Sequence, residues 1–238
     1  MNNNSKYHKI KSIFKRDVDG NFIDGKYSTS EFEYLKNNRW VGTEKIDGTN
    51  TRVIWDGKNL TFGGKSDKAQ IPDILLKKLT ELFKVDKFES MFPPPEDGLP
   101  QNIRLYGEGY GSTIQSKMGM KYNPDGVDFI LFDVRIGRWW MNRENIINIA
   151  NGFGLLVVPI LFEGTLLEAV ERVAAGEVKS SFPNKTFDGF LAEGLVLKPE
   201  VELFARNGAR VITKVVYKDE KMDDNKSKVK EIVGAYKV

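Results

Sequence analysis

The sequence predicts an α+β fold of mixed antiparallel sheets flanked by a few helices. Three observations carry that prediction. Short β-like runs outnumber helical ones, they do not alternate with helices as βαβ units would, and no repeat or long linker divides the 238 residues. Strands are expected at Trp40 to Thr43, Thr51 to Trp55, Leu60 to Phe62, Ile103 to Tyr106, Phe129 to Val134, Leu155 to Ile160, Leu195 to Lys198 and Val211 to Val216. A helix is expected at Asp73 to Phe88, where Ile74, Leu75, Leu79, Leu82 and Phe83 form an apolar stripe, with others at Arg143 to Asn151 and Leu166 to Ala175. The one obvious breaker, Phe92-Pro93-Pro94-Pro95-Glu96-Asp97-Gly98, reads as a loop inside a single domain covering 1–238.

Composition removes several function classes. With no cysteine, disulfide scaffolds, thiolate metal sites and cysteine nucleophiles are excluded, which suits a reducing cytosol. A single histidine, His8, speaks against zinc. No apolar run approaches the ~20 residues of a bilayer span, and the Asn- and Lys-rich N-terminus is no signal peptide. A soluble cytoplasmic protein is expected, with no membrane partner. The net charge of +3 is mild, but Lys6, Lys9, Lys11, Lys15 and Arg16 share the first sixteen residues with no acid. Such a run is ordinarily a solvated face or tail; it could also contact phosphates.

Lys45 is the candidate nucleophile. It lies in Glu44-Lys45-Ile46-Asp47-Gly48-Thr49-Asn50, a glycine turn between two β-like runs. An amine attacks only when unprotonated, a state favoured by burial or by neighbouring cations. Later segments supply cations, acids and aromatics at strand edges. Taken singly they are bland: Tyr106-Gly107-Glu108-Gly109-Tyr110-Gly111 is a strand ending in a glycine-rich turn, and each Phe of Phe129-Ile130-Leu131-Phe132-Asp133-Val134 is a core residue. Glu193 to Lys198 brackets a buried-looking strand, and Arg206-Asn207-Gly208-Ala209-Arg210 leads into a strand bearing Lys214.

Their order is less common. K-x-D-G, Y-G-E, F-D, E-G-x-V-x-K and a final lysine strand resemble the ordered motifs of covalent nucleotidyltransferases: DNA ligases, RNA ligases and capping enzymes. Finer matches make the chain similar to the RNA ligase 2 family of phages, with its RNA-editing relatives. These are Asn50, Lys65-Ser66 where the family has Arg-Thr, Gln115 closing its glycine-rich segment, and the Arg-Asn-Gly-x-Arg-Val approach to Lys214. The resemblance covers nearly the whole chain and implies an ATP-grasp-like nucleotidyltransferase domain.

It also implies roles. Lys45 would attack the α-phosphate of ATP and hold AMP as a phosphoramidate, with Lys198 and Lys214 bracketing the phosphate and Glu193 supporting the chemistry. Glu44, Asp47, Asn50, Lys65, Glu108 and Phe132 form the implied nucleotide-binding set. In it Glu108 meets the ribose, Phe132 stacks on adenine, and Lys65 reaches towards the nucleic acid. Phe129 stays in the core on the other face of its strand. Glu193 and Glu108 are the implied ligands of Mg²⁺ or Mn²⁺. AMP would then pass to an RNA 5′-phosphate, and a 3′-hydroxyl would displace it to seal the strand, in a single-stranded end or a nicked duplex. A monomer repairing RNA is implied, in the cytoplasm of a cell that could be a phage-infected host.

Two departures matter. The family's last motif carries a second lysine where this chain has Val216, with Lys218 next on the same face. The chain also ends soon after that strand, so no OB-fold or other C-terminal domain is expected. Two other readings use the same residues. A ligase of DNA nicks or a capping enzyme is disfavoured by the missing OB fold. A weakly active relative that holds RNA ends is the reading Val216 favours. His8, Trp139 and Trp140 are left outside the site, the tryptophans as a cover for the sheet.

Overall fold

A computed structural model describes residues 6–20, 22–96, 98, 102–114, 119–182 and 189–217. In chain order the elements are β1 (Lys11–Ser12), β2 (Phe14–Arg16), β3 (Phe22–Tyr27), α1 (Ser30–Tyr34), β4 (Trp40–Glu44), β5 (Thr49–Trp55) and β6 (Leu60–Gly63). Then come α2 (Asp73–Leu82), α3 (Val85–Met91), β7 (Ile103–Gly111), α4 (Gly119–Tyr122), β8 (Val127–Ile136), β9 (Trp139–Trp140) and α5 (Arg143–Phe153). The last are β10 (Leu156–Val157), β11 (Ile160–Gly164), α6 (Leu166–Ala174), β12 (Gly194–Pro199) and β13 (Thr213–Val216). The expected α+β class holds: most strand pairs are antiparallel, while β1 with β13 and β10 with β8 run parallel.

The described chain clusters into two compact units. One contains residues 6–8 and 47–158, the other 9–46, 159–182 and 189–217. No composition break marks the division, because each unit is assembled from separated pieces of chain. The first is built on a sheet of order β10-β8-β7-β5-β6, with β9 on β8. Its core joins Val53, Trp55, Leu105, Phe129 and Leu131 to Leu75, Leu79, Phe83 and Phe88 from the helical segment. The second has the sheet β1-β13-β12-β4-β11 and the β2–β3 hairpin, with Trp40, Leu195, Leu197 and Val215 packed against Leu166, Val170 and Val173 of α6.

Local chemistry explains the helix ends. Asn142 caps α5 through the Asn145 N–H, and Gly154, at φ 70°, closes it in the left-handed conformation that glycine adopts without strain. Thr165 and Glu168 form a reciprocal capping box at the start of α6.

Several expected elements are corrected. The single helix over 73–88 is two, because Phe83 turns extended after α2. Its buried ring then meets Phe129 edge-on at 5.5 Å and Phe153 at 5.4 Å. The strand expected over 155–160 is split: β10 joins one unit's sheet and β11 the other's. The strand expected from Val211 begins at Thr213, since Val211 donates to the Leu203 carbonyl in the preceding turn. β7 does not end in a glycine turn after Tyr106; it runs on to Gly111. A Cβ at Gly107 would lie 2.2 Å from the Phe129 ring, and one at Gly109 would lie 2.3 Å from Leu75. These glycines keep the strand flat against its own core.

The N-terminal segment is also more than a tail. Lys6, Lys9, Lys11 and Lys15 are exposed, but Ile13 and Phe14 are buried, and β1 pairs with β13 at Lys11↔Thr213 and Ser12↔Lys214.

Candidate active site

In the second unit, register decides which side chains meet. β4 pairs with β12 and β12 with β13, so Val196 lies between Thr43 and Lys214, and Lys198 lies opposite Val41. The Lys45 N–H donates to the Gly194 carbonyl at 2.9 Å, which carries the same register one row further. Alternation then places Lys45, Lys198 and Lys214 on one face, away from Trp40, Leu195 and Val215. They are not equidistant from Lys45. At ~3.3 Å per residue, Lys214 sits about 7 Å along the sheet from the Lys45 row and Lys198 about 13 Å.

The direct partner of Lys45 is Glu193, whose Oε2 accepts from Nζ at 2.5 Å. Their side chains are 24% and 14% exposed, so the pair is shielded yet reachable. Glu44 falls on the opposite side of β4 by the same alternation, in the row of Leu195, and is buried. Any contact of Glu44 with a nucleotide therefore belongs to its backbone. Val216 faces Gly194 in the row of Lys45 and is buried outside the apolar cluster that holds Val215.

In the first unit, Asn50 lies opposite Glu108, Arg52 opposite Tyr106, and Tyr106 opposite Asp133. Gly48, the glycine of K-x-D-G, is pressed against β7. A Cβ there would stand 2.2 Å from the Gly109 carbonyl oxygen and 2.9 Å from Glu108 Cγ, so only glycine lets the turn lie beside Glu108. Asp47 is half-buried at the head of this turn. The Oδ1 of Asn50 is buried with no hydrogen-bond partner among the described residues.

A bulge between Tyr106 and Gly107 in the β7–β8 pairing sets the aromatic wall. The extra residue on β8 is Phe132, which is half-buried, whereas Phe129 is buried in the core as expected. Tyr7 meets Phe132 edge-on at 5.1 Å and donates its hydroxyl to Asp133 Oδ2 at 2.7 Å. His8 stacks on Tyr7 at 4.5 Å, and Trp140 meets Tyr7 edge-on at 5.8 Å. Trp140 therefore does cover the sheet, while Trp139 is 64% exposed. Burial raises the Tyr106 hydroxyl above its ordinary pKa, opposed by the charges of Arg104, Arg135 and Arg52. Burial also lowers Arg104, with the charges of Arg135 and Arg52 adding to the effect and Tyr106 opposing it.

Lys65 stands exposed in the turn after β6, and Arg52 reaches the carbonyl of Gly64 beside it. Glu193 and Glu108 belong to different units, and no group of three or more His, Cys, Asp or Glu side chains fit for a metal occurs among the described residues. Gln115 and Lys218 lie outside the described residues.

Tyr7, Arg52 and Asp133 join the aromatic wall and the neighbouring turn without being marked as a group along the chain. Asp133 was visible in the F-D motif; Tyr7 was hidden by the basic run around it. Arg52 carried no signal, because nothing local marks a charge that folding will bury.

The sequence model of a family described as RNA ligase matches residues 38–216. No curated protein matches the chain. Solved structures of similar fold include an RNA ligase of Naegleria gruberi with PPi, at a TM-score of 0.58 and 19% identity, covering 93% of this chain and 64% of that one. A lysine-to-alanine mutant of that enzyme with ATP and Mn aligns at TM-score 0.55 and 18% identity, over 95% of this chain and 63% of that one. A lysine-to-methionine mutant with AMP and Mn gives 0.55 and 18%, over 93% and 62%. The chain thus spans less than two-thirds of the length of these relatives, and at such identity the likeness is one of fold.

Proposed function

Because the chain belongs to the RNA ligase family, we propose that it is an ATP-dependent RNA ligase that joins 3′-hydroxyl to 5′-phosphate ends in RNA repair. The observation that carries this reading is the single sheet face bearing Lys45, Lys198 and Lys214, with Glu193 in contact with the nucleophile. The Lys45 amine attacks the α-phosphorus of ATP, a P–N bond forms as the bond to pyrophosphate breaks, and Glu193 orients the amine. Lys214, the nearer of the other two lysines, offsets charge on the phosphate; Lys198 acts further along the path.

In the first unit, Phe132 offers a face to adenine, its ring angle set by Tyr7. Glu108 and Asn50 accept from the sugar or orient the phosphates, and Asp47 supports the same turn. Glu44 contributes through its backbone.

Glu108 in the first unit and Glu193 in the second are each carboxylates of the kind that would hold Mg²⁺ or Mn²⁺. A hard cation suits such oxygen donors, and Mg²⁺ bound by one or two carboxylates completes its shell with phosphate oxygens and water. The Oδ1 of Asn50, without a hydrogen-bond partner among the described residues and in register with Glu108, suits such a hydrated ion or its phosphates. When bound, the metal neutralises charge developing on the phosphates.

The second step moves AMP from Lys45 to an RNA 5′-phosphate, giving A(5′)pp(5′)N. In the third a 3′-hydroxyl attacks that phosphate and AMP leaves. Lys65 contacts the nucleic acid, and a nicked duplex or two single-stranded ends would supply the termini.

The test is incubation with α-labelled ATP and Mg²⁺. Label is expected on the wild type and absent from Lys45→Ala. An unlabelled wild type would leave the chain an RNA-end-binding relative. Nicks carrying ribose or deoxyribose at the 3′ side then separate RNA from DNA sealing.

A further inference from the structure

We propose that Arg52 is a positioning residue for RNA sealing: its guanidinium fixes the turn that presents Lys65 to the nucleic acid. The inference rests on the reading of Lys65 as a nucleic-acid contact.

Arg52 is a charged side chain only 2% exposed, in the middle of β5. Its Nε donates to the Gly64 carbonyl at 2.8 Å, and its Nη2 donates to Asp67 Oδ1 at 3.1 Å. These two contacts bracket Lys65 and Ser66. The plane of the group lies against Gly63, its register partner on β6. A Cβ at Gly63 would come within 2.7 Å of Nη2, 3.1 Å of Cζ and 3.2 Å of Nε. Gly63, Gly64 and Arg52 are therefore a matched set: the glycine makes the slot, the guanidinium fills it, and the next carbonyl is bonded.

Asp67 extends the clamp. Its Oδ2 lies 3.0 Å from Lys6 Nζ, so one carboxylate holds both the turn and the segment that carries Tyr7. The clamp also has a direction. Arg52 sits on the same face of β5 as Asn50, two residues on, and opposite Tyr106, two residues from Glu108. The turn that offers Lys65 is thus bolted to the strand that carries the proposed nucleotide contacts.

A guanidinium is needed for this because it bonds in two directions from one rigid plane, whereas a lysine is a single point charge. Lys65, itself a single charge at the end of a flexible stem, depends on where its backbone is held. The Arg52 carbons and charge are buried, so Arg52 acts through the turn and never on the RNA.

The experiment is a double-mutant cycle on sealing of a pre-adenylylated RNA nick, with the wild type first shown to take label from ATP. Arg52→Lys and Lys65→Ala are each expected to slow sealing by roughly tenfold or more, the scale on which an ångström of misplacement is felt. Arg52→Lys combined with Lys65→Ala is expected to be no slower than Lys65→Ala alone. Asp67→Asn, a surface change that spares folding, is expected to act in the same direction as Arg52→Lys and to vanish in the same way. Multiplication of the two single effects, in either cycle, would overturn the proposal, since it would mean that the clamp acts elsewhere. A Lys65→Ala protein that seals normally would overturn it too. Absence of label on the wild type is a different failure, that of the ligase reading itself.

Discussion

Replacing Val216 by lysine should accelerate the attack of Lys45 on ATP, and the size of the effect follows from the register of three strands. Val216 lies opposite Gly194, whose carbonyl accepts the Lys45 N–H at 2.9 Å, so the three residues form one row across β13, β12 and β4. Two strand spacings make that row about 10 Å wide. Its middle member has no side chain, which leaves lysines at the two ends able to converge on one phosphate. Lys214 is in the next row on that face, about 7 Å along the strand, so the row of Lys45 lacks its own second cation. A new charge-assisted hydrogen bond to the phosphate contributes about 1.5–3 kcal/mol, or roughly 10- to 150-fold in rate if it is made in the transition state. Val216 is only 4% exposed, so the variant should also lose some stability without nucleotide. Single-turnover labelling of Lys45 at saturating ATP and Mg²⁺ measures the gain, with Val216→Met as the apolar control of similar length. A folded Val216→Lys protein that labels no faster than wild type would refute the reasoning.

Other expectations follow from the same geometry. Glu193→Gln removes the charge from the 2.5 Å contact with Lys45 and should slow labelling by about 10- to 100-fold, the range for a hydrogen bond to a charged group. Trp40→Ala empties a fully buried site and breaks the indole bond to the Leu35 carbonyl at 2.9 Å; urea unfolding should show a loss of about 3–5 kcal/mol. The Asp67 carboxyl is held below its ordinary range by hydrogen bonds from Lys6 and then Arg52. A depressed carboxyl pKa means that this clamp is complete above the ordinary value of about 3.9 and lost only as pH falls through the lower folded value. Hydrogen exchange of the turn at 64–67 should therefore show unchanged protection factors from pH 8 to pH 5, and a rise in local opening across that range would contradict the assignment.

Much of the candidate site could be read along the chain because the proposed chemistry depends on residue type and on local strand and turn signals. Lys45 in its glycine turn, Glu193 before a strand and Phe132 opposite in face to Phe129 all have a local signature, and the structure puts Phe129 in the core. The fold was harder to read wherever distant chain decides. The glycines of β7 look like a turn until Phe129 and Leu75 are seen to occupy the space beside them. The segment 155–160 looks like one strand until its halves are drawn into different sheets. The basic N-terminus looks like a solvated tail because lysines outnumber the few residues, Tyr7, Ile13 and Phe14, that hold it down.

The sequence by itself determined the candidate nucleophile, Lys45, and the order of the motifs around it, and it pointed to the family that the match over residues 38–216 shows. Those properties reside in short runs whose chemistry is legible residue by residue. Only the tertiary structure decided which groups meet: Glu193 with Lys45 across 148 residues, Tyr7 with Asp133 across 126, and Arg52 with the turn that carries Lys65. It also ranked the lysines, since distance from Lys45 depends on register, and register is set by how whole strands bury their apolar faces rather than by any residue in the motifs.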